Sequence, residues 1–192
     1  MPPELFLFGL EVCDKALSPS CIARETVLTL ESLCGVSNIY SEDLKSEVAL
    51  FGFTHEVGLR RATPYSAVVD DCWQDEKGRY EFCLRYFRED SPENRYISGQ
   101  ISSCKIQVYD LDWDIPKLNN LTEEVRLSSL NEYLFKGVKQ GTNSFSAIGV
   151  RKRPPYSKWI GGGISMSADL DGQGKVSDFV TITYVPPRRA EN

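Results

Sequence analysis

Residues 164–170 and 176–184 alternate between apolar and polar positions, a period that an extended strand turns into one buried face. Ile164, Met166, Ala168 and Leu170 carry the first stripe. Val176, Val180, Ile182 and Tyr184 carry the second, with Asp178 on the same parity. Asp171-Gly172-Gln173-Gly174 lies between them and supplies turn residues, so the pair reads as a β-hairpin. The period recurs at 79–87, where Tyr80, Phe82, Leu84 and Tyr86 alternate with Glu81, Cys83, Arg85 and Phe87. Residues 97–108 form another extended segment. Its apolar side changes between Ile101 and Cys104, which predicts a bulge or bend. Shorter runs at 4–8 and 144–150 read as further strands, and 47–109 as a whole carries a strand pattern.

Two helices interrupt this pattern. Ser18-Pro19 combines a capping side chain with proline at the first helical position, Ala23, Val27, Leu30 and Cys34 share one face, and Gly35 supplies the exit. A second helix is expected over about 121–135. Asn120 and Glu123 have capping-box spacing, Leu127, Leu130 and Leu134 share a face, and Gly137 ends it. Hairpin-linked strands with two helices spliced in predict a mainly β, α+β fold: a curled antiparallel sheet or β-barrel with two helices packed on it. One barrel-like domain over 1–187, with a polar tail at 188–192, accounts for the sequence without a linker or repeat.

A chain of 192 residues buries roughly 70% of its unfolded surface, enough for a core without staples. Its net charge of −5 disfavours general binding to nucleic acid or to a membrane surface. No stretch approaches the ~20 apolar residues that cross a bilayer, and residues 1–8 lack the basic flank of an export signal. These features place the protein inside the cell, in cytoplasm or nucleus. Six cysteines fall at 13, 21, 34, 72, 83 and 104 with no C-x-x-C pair, so they read as reduced, small apolar residues.

Chemistry is sparse. His55 is the sole histidine, which excludes a histidine metal cluster; it reads as a turn or surface residue, with a cysteine–histidine pair as the alternative. Asp110, Asp112 and Asp114 alternate, a pattern that could face a hard cation or form an acid–base pair. Pro116 follows at once, so a solvated strand end entering a loop is the first reading. Asp169-Leu170-Asp171-Gly172 has the look of a calcium loop, but Val180 occupies the closing glutamate position and the hairpin reading prevails. Gly161-Gly162-Gly163 precedes a strand rather than a helix, so it reads as a bend or a close backbone approach, not a phosphate cradle. No metal and no cofactor is expected. A general catalyst, if there is one, would come from Asp110, Asp112, Glu81 or Tyr86.

The stretch 151–159 reverses the charge of the chain. Arg151, Lys152, Arg153 and Lys158 carry four positive charges with no acid, and Tyr156 and Trp159 add aromatic surface. Pro154-Pro155 predict an extended loop held away from sheet pairing. Besides a solvated connection, this set suits docking of an acidic protein partner, and less well nucleic acid.

Glu4-Leu5-Phe6-Leu7-Phe8-Gly9, and the helix ending Leu33-Cys34-Gly35, resemble the first strand and helix of the barrel subunit of the Mediator head module. Leu59-Arg60-Arg61 and Cys83-Leu84-Arg85-Tyr86 resemble its next strands. Asn120-Leu121-Thr122, with Glu132 and Lys136-Gly137, is similar to its later helix and exit turn. That family usually ends in a helix packed on the barrel, whereas this sequence ends in a strand pattern and Pro186-Pro187. The resemblance implies a non-enzymatic subunit that pairs with a sister chain in transcription.

The leading expectation is therefore a non-catalytic protein-interaction subunit of a larger intracellular assembly. The alternative is a lipocalin-like small-molecule-binding barrel, or a cofactor-independent isomerase or cyclase. Its apolar cavity, taking a small hydrophobic ligand, would be lined by Tyr80, Phe82, Tyr86 and Trp113.

Overall fold

The computed structural model describes residues 18–35, 44–61, 68–87, 101–131, 156–161 and 163–186. The strands expected at 4–8 and 144–150 and the tail at 188–192 lie outside these. Seven strands form one antiparallel sheet: β1 (His55–Arg61), β2 (Val68–Gln74), β3 (Tyr80–Phe87), β4 (Ile101–Tyr109), β5 (Tyr156–Gly161), β6 (Ile164–Leu170) and β7 (Val176–Tyr184). Their spatial order is β1-β2-β3-β4-β7-β6-β5, so among the described strands β1 and β5 are the two edges and the sheet is not closed. The antiparallel α+β expectation holds, and its closed-barrel option gives way to an open sheet. Helices explain why closure is unnecessary: they cover one face, and its apolar side chains are buried there.

Among the described residues there are three α-helices, where two were expected: α1 (Pro19–Leu30), α2 (Leu44–Leu50) and α3 (Ile115–Asn131). In α1, the Ser18 hydroxyl accepts from the Cys21 amide at 3.3 Å and proline sits in the first turn. Ala23, Val27, Leu30 and Cys34 are all fully buried, and a π-turn over Glu31–Gly35 carries the chain out. Helix α2 corrects the expectation of strands from residue 47, because Leu44 and Val48, four apart, are its buried stripe. Helix α3 begins six residues before the expected start. Asp114 is its cap, its carboxylate accepting from the Lys117 amide at 3.0 Å, and Pro116 is tolerated in the first turn. The buried stripe is Leu118, Leu121 and Val125, whereas Leu127 of the expected face is 39% exposed.

Helices α1 and α3 pack on each other, and between them they reach β4 and β5. Under them, Phe82 and Leu84 of β3 lie beside Ile106 and Cys104 of β4, and Val108, Ile106 and Cys104 lie beside Val180, Ile182 and Tyr184 of β7. Ile164, Met166 and Ala168 continue the row on β6. All of these are buried, and each large aliphatic side chain so placed contributes about 1.5–3 kcal/mol.

Turn chemistry follows the sequence closely. The β6–β7 hairpin is closed by Asp171, whose Oδ1 accepts from the amides of Gln173 and Lys175, both at 2.9 Å. Gly163 has φ +86°, and a Cβ there would run into the carbonyl oxygen of Val185; the Val185 amide donates to the Gly163 carbonyl at 2.9 Å. The close-approach reading of that glycine therefore holds. The bulge expected near Ile101 is present, since Arg85 pairs with Ser103 and Tyr86 with Ile101.

The cysteines correct the reduced-thiol expectation. Cys34 and Cys104 form a disulfide with Cα atoms 6.5 Å apart, tying the exit of α1 to β4. Cys72 and Cys83 form a second between facing residues of β2 and β3, with Cα atoms 4.2 Å apart. Cys21 is disulfide-bonded as well. Sequence spacing conceals such pairs because bridges join residues close in space, not in order.

Candidate functional site

The basic–aromatic stretch is split by the fold. Arg151, Lys152 and Arg153 lie outside the described residues. Tyr156, Lys158 and Trp159 belong to β5, so the expected loop is corrected to an edge strand paired with β6: Tyr156 faces Ala168, Lys158 faces Met166 and Trp159 faces Ser165. Pro154 and Pro155 lie outside the described residues, and the pairing described for β5 begins at Tyr156. Tyr156 is buried against α3, and its hydroxyl lies 2.6 Å from that of Thr122 and donates to Asn119 Oδ1 at 3.3 Å. Burial raises its pKa. It anchors the strand, while Ser157 and Lys158 are exposed. The described part of the site is thus an edge strand with an exposed lysine, and in sequence Arg151, Lys152 and Arg153 precede it by way of Pro154-Pro155.

The sheet face away from the helices carries a second cluster. Arg60 of β1 donates two bonds of 3.1 Å to the Glu81 carboxylate, and Gln74 Nε2 donates to it at 3.3 Å. Glu81 is only 1% exposed, so these partners are what make its charge tolerable. Cys83 Sγ lies 3.3 Å from Glu81 Oε1. Beside this cluster Arg85 forms a two-bond pair with Asp70, which raises the Arg85 pKa. Tyr109 lies near enough to Glu81 that burial first, and this carboxylate second, raise its phenol.

Asp110, Asp112 and Asp114 are exposed while Leu111 and Trp113 between them are buried, but β4 ends at Tyr109 and Asp110 has φ +57°, so the three are not alternate positions of one strand. Asp112 is bonded to Lys175 at 2.7 Å, which lowers its pKa, and Asp114 caps α3. Among the described residues the grouping of metal-capable side chains is elsewhere, at Cys72, Glu81 and Cys83.

His55 opens β1 opposite Gln74 and lines a shallow cleft of about 480 Å³ with Thr54, Asp75, Glu76, Lys77 and Gly78. Because the described cysteines are all in disulfides, none offers His55 a thiol partner. Of the residues expected around a ligand cavity, Tyr80, Phe82 and Trp113 sit in the packed core and Tyr86 is half-buried near the end of β3. The four candidate catalysts do not converge: Tyr86 faces Ile101 at one end of β4 and Asp110 follows its other end, roughly 25–30 Å away along the strand.

The Cys72–Cys83–Glu81–Gln74 square went unread in the sequence, although a signal exists. Positions 72 and 83, and 74 and 81, are equidistant from the turn at Lys77-Gly78, which sets them opposite one another in a hairpin. No protein-family model, curated protein or solved structure matches this chain.

Proposed function

We propose that the chain is a non-catalytic interaction protein that takes an extended, acidic segment of a partner along the β5 edge. The observation that carries this is charge at a sheet edge: among the described strands β5 ends the sheet and displays Lys158, and in sequence it follows Arg151, Lys152 and Arg153 in a protein of net charge −5. An added strand gains main-chain hydrogen bonds, and complementary charge sets its identity. The resemblance to the Mediator head subunit points the same way, towards assembly rather than catalysis. Its nuclear setting accords less well with paired cysteines, which favour maturation in an oxidising compartment. The small-molecule reading draws little support from an open sheet with its aromatics packed. Among the described residues no helix is long and apolar enough to cross a membrane.

The test is binding of a fluorescein-labelled peptide alternating Glu and Val, followed by anisotropy. Replacing Arg151, Lys152 and Arg153 with Ser should weaken it about tenfold, three exposed pairs at roughly 0.5 kcal/mol each. Rising salt should weaken it further. Unchanged binding by the triple variant, or stronger competition by single-stranded nucleic acid than by unlabelled peptide, refutes the assignment.

A further inference from the structure

Cys72 and Cys83 face each other across β2 and β3, and Gln74 and Glu81 form the next pair along on the same face. Both sulfurs and a Glu81 oxygen lie within 4.8 Å of one another, and all three residues are buried. We propose that reduction of this disulfide creates a site for one thiophilic divalent cation of the zinc type, held by the two thiolates and the Glu81 carboxylate. A dithiol reductant supplies two electrons and two protons, becoming a disulfide itself while Cys72 and Cys83 become thiols. The cation then displaces both thiol protons to solvent as two metal–sulfur bonds form.

Three features favour this set. Two thiolates with one carboxylate match the ligand softness of zinc, which takes tetrahedral sites and leaves a fourth position here for water. A carboxylate has about four lone-pair sites, so Arg60 and Gln74 can keep their bonds to Glu81 and orient it. Charge also balances in both states. With the disulfide formed, Glu81 is offset by Arg60; with metal, three negative ligands are offset by the dication and Arg60. Neither state leaves an uncompensated buried charge. The site is independent of the β5 edge, and it fits the same chain to oxidising and reducing surroundings.

The experiment titrates Zn²⁺, and Co²⁺ as a spectroscopic stand-in, into whole protein that is either oxidised or reduced with a phosphine. The reduced protein should bind one equivalent with thiolate-to-cobalt charge-transfer absorption. The oxidised protein and the reduced Cys72→Ser/Cys83→Ser variant should lack that equivalent. Glu81→Gln should weaken it by more than about tenfold, since loss of an outer-shell partner alone costs roughly 10–100-fold. If reduction unfolds the chain, Zn²⁺ should restore the sheet circular dichroism of the wild type but not of the double variant. Absence of binding or refolding by the reduced wild type, or its survival in the double variant, overturns the proposal.

Discussion

The two described disulfides should differ in worth by an amount set by the chain each one closes. Cys34–Cys104 spans 70 positions and Cys72–Cys83 spans 11. In the chain-entropy treatment, closing these loops stabilises by about 4.4 and about 2.8 kcal/mol, a difference of about 1.6. All four cysteines are essentially buried, so the cavity left by alanine is similar at each site and largely cancels in the comparison. Urea unfolding of Cys34→Ala/Cys104→Ala and Cys72→Ala/Cys83→Ala, each with its other cysteines oxidised, measures both losses. The long-range pair should lose more, with the difference between 1 and 2 kcal/mol by this reckoning. A larger loss from the hairpin pair would refute the loop argument and show that the β2–β3 cross-link acts on the native state instead.

Further outcomes follow from single side chains. Val27→Asp should abolish cooperative unfolding at ordinary temperature, whereas exposed Arg24→Ser should stay within about 0.5 kcal/mol of wild type, both read by thermal melts. Gly163→Ala should destabilise more than Gly78→Ala. Both have positive φ, but a Cβ at 163 meets the Val185 carbonyl while one at 78 meets open space. Burial pushes Tyr80 up to about 12, so the native state holds its proton where the unfolded chain releases it. The stability from that neutral phenol is complete below pH ~10 and is lost as pH rises from there towards 12. Urea midpoints across that range should fall less steeply in Tyr80→Phe than in wild type.

The legible parts of the fold were those where one local rule acts alone. Ser18-Pro19, the Asp171 hairpin and the β3, β6 and β7 alternation each depend on neighbours in sequence, and each is where the residues put it. Asp114 was harder, because a carboxylate followed by Ile115-Pro116 suits both a strand end and a helix start. The choice is made by burial of Leu118 and Leu121 against the core. Lys158 and Tyr156 share a strand that looked like a loop, since Pro154-Pro155 dominated the local pattern. What pulls 156–161 into the sheet is distant: the β6 ladder, and the Thr122 and Asn119 contacts from α3. Disulfide pairing was hidden for the same reason, with Cys34 and Cys104 brought together only by packing of the α1 exit on β4.

Amide hydrogen exchange with and without the acidic peptide tests the β5 edge most directly. A strand added there covers main-chain groups of β5, so amides between Tyr156 and Gly161 should gain protection while those of the opposite edge, His55–Arg61, stay unchanged. Protection confined to β1, or to the His55 cleft with β5 exchanging as before, would contradict the account.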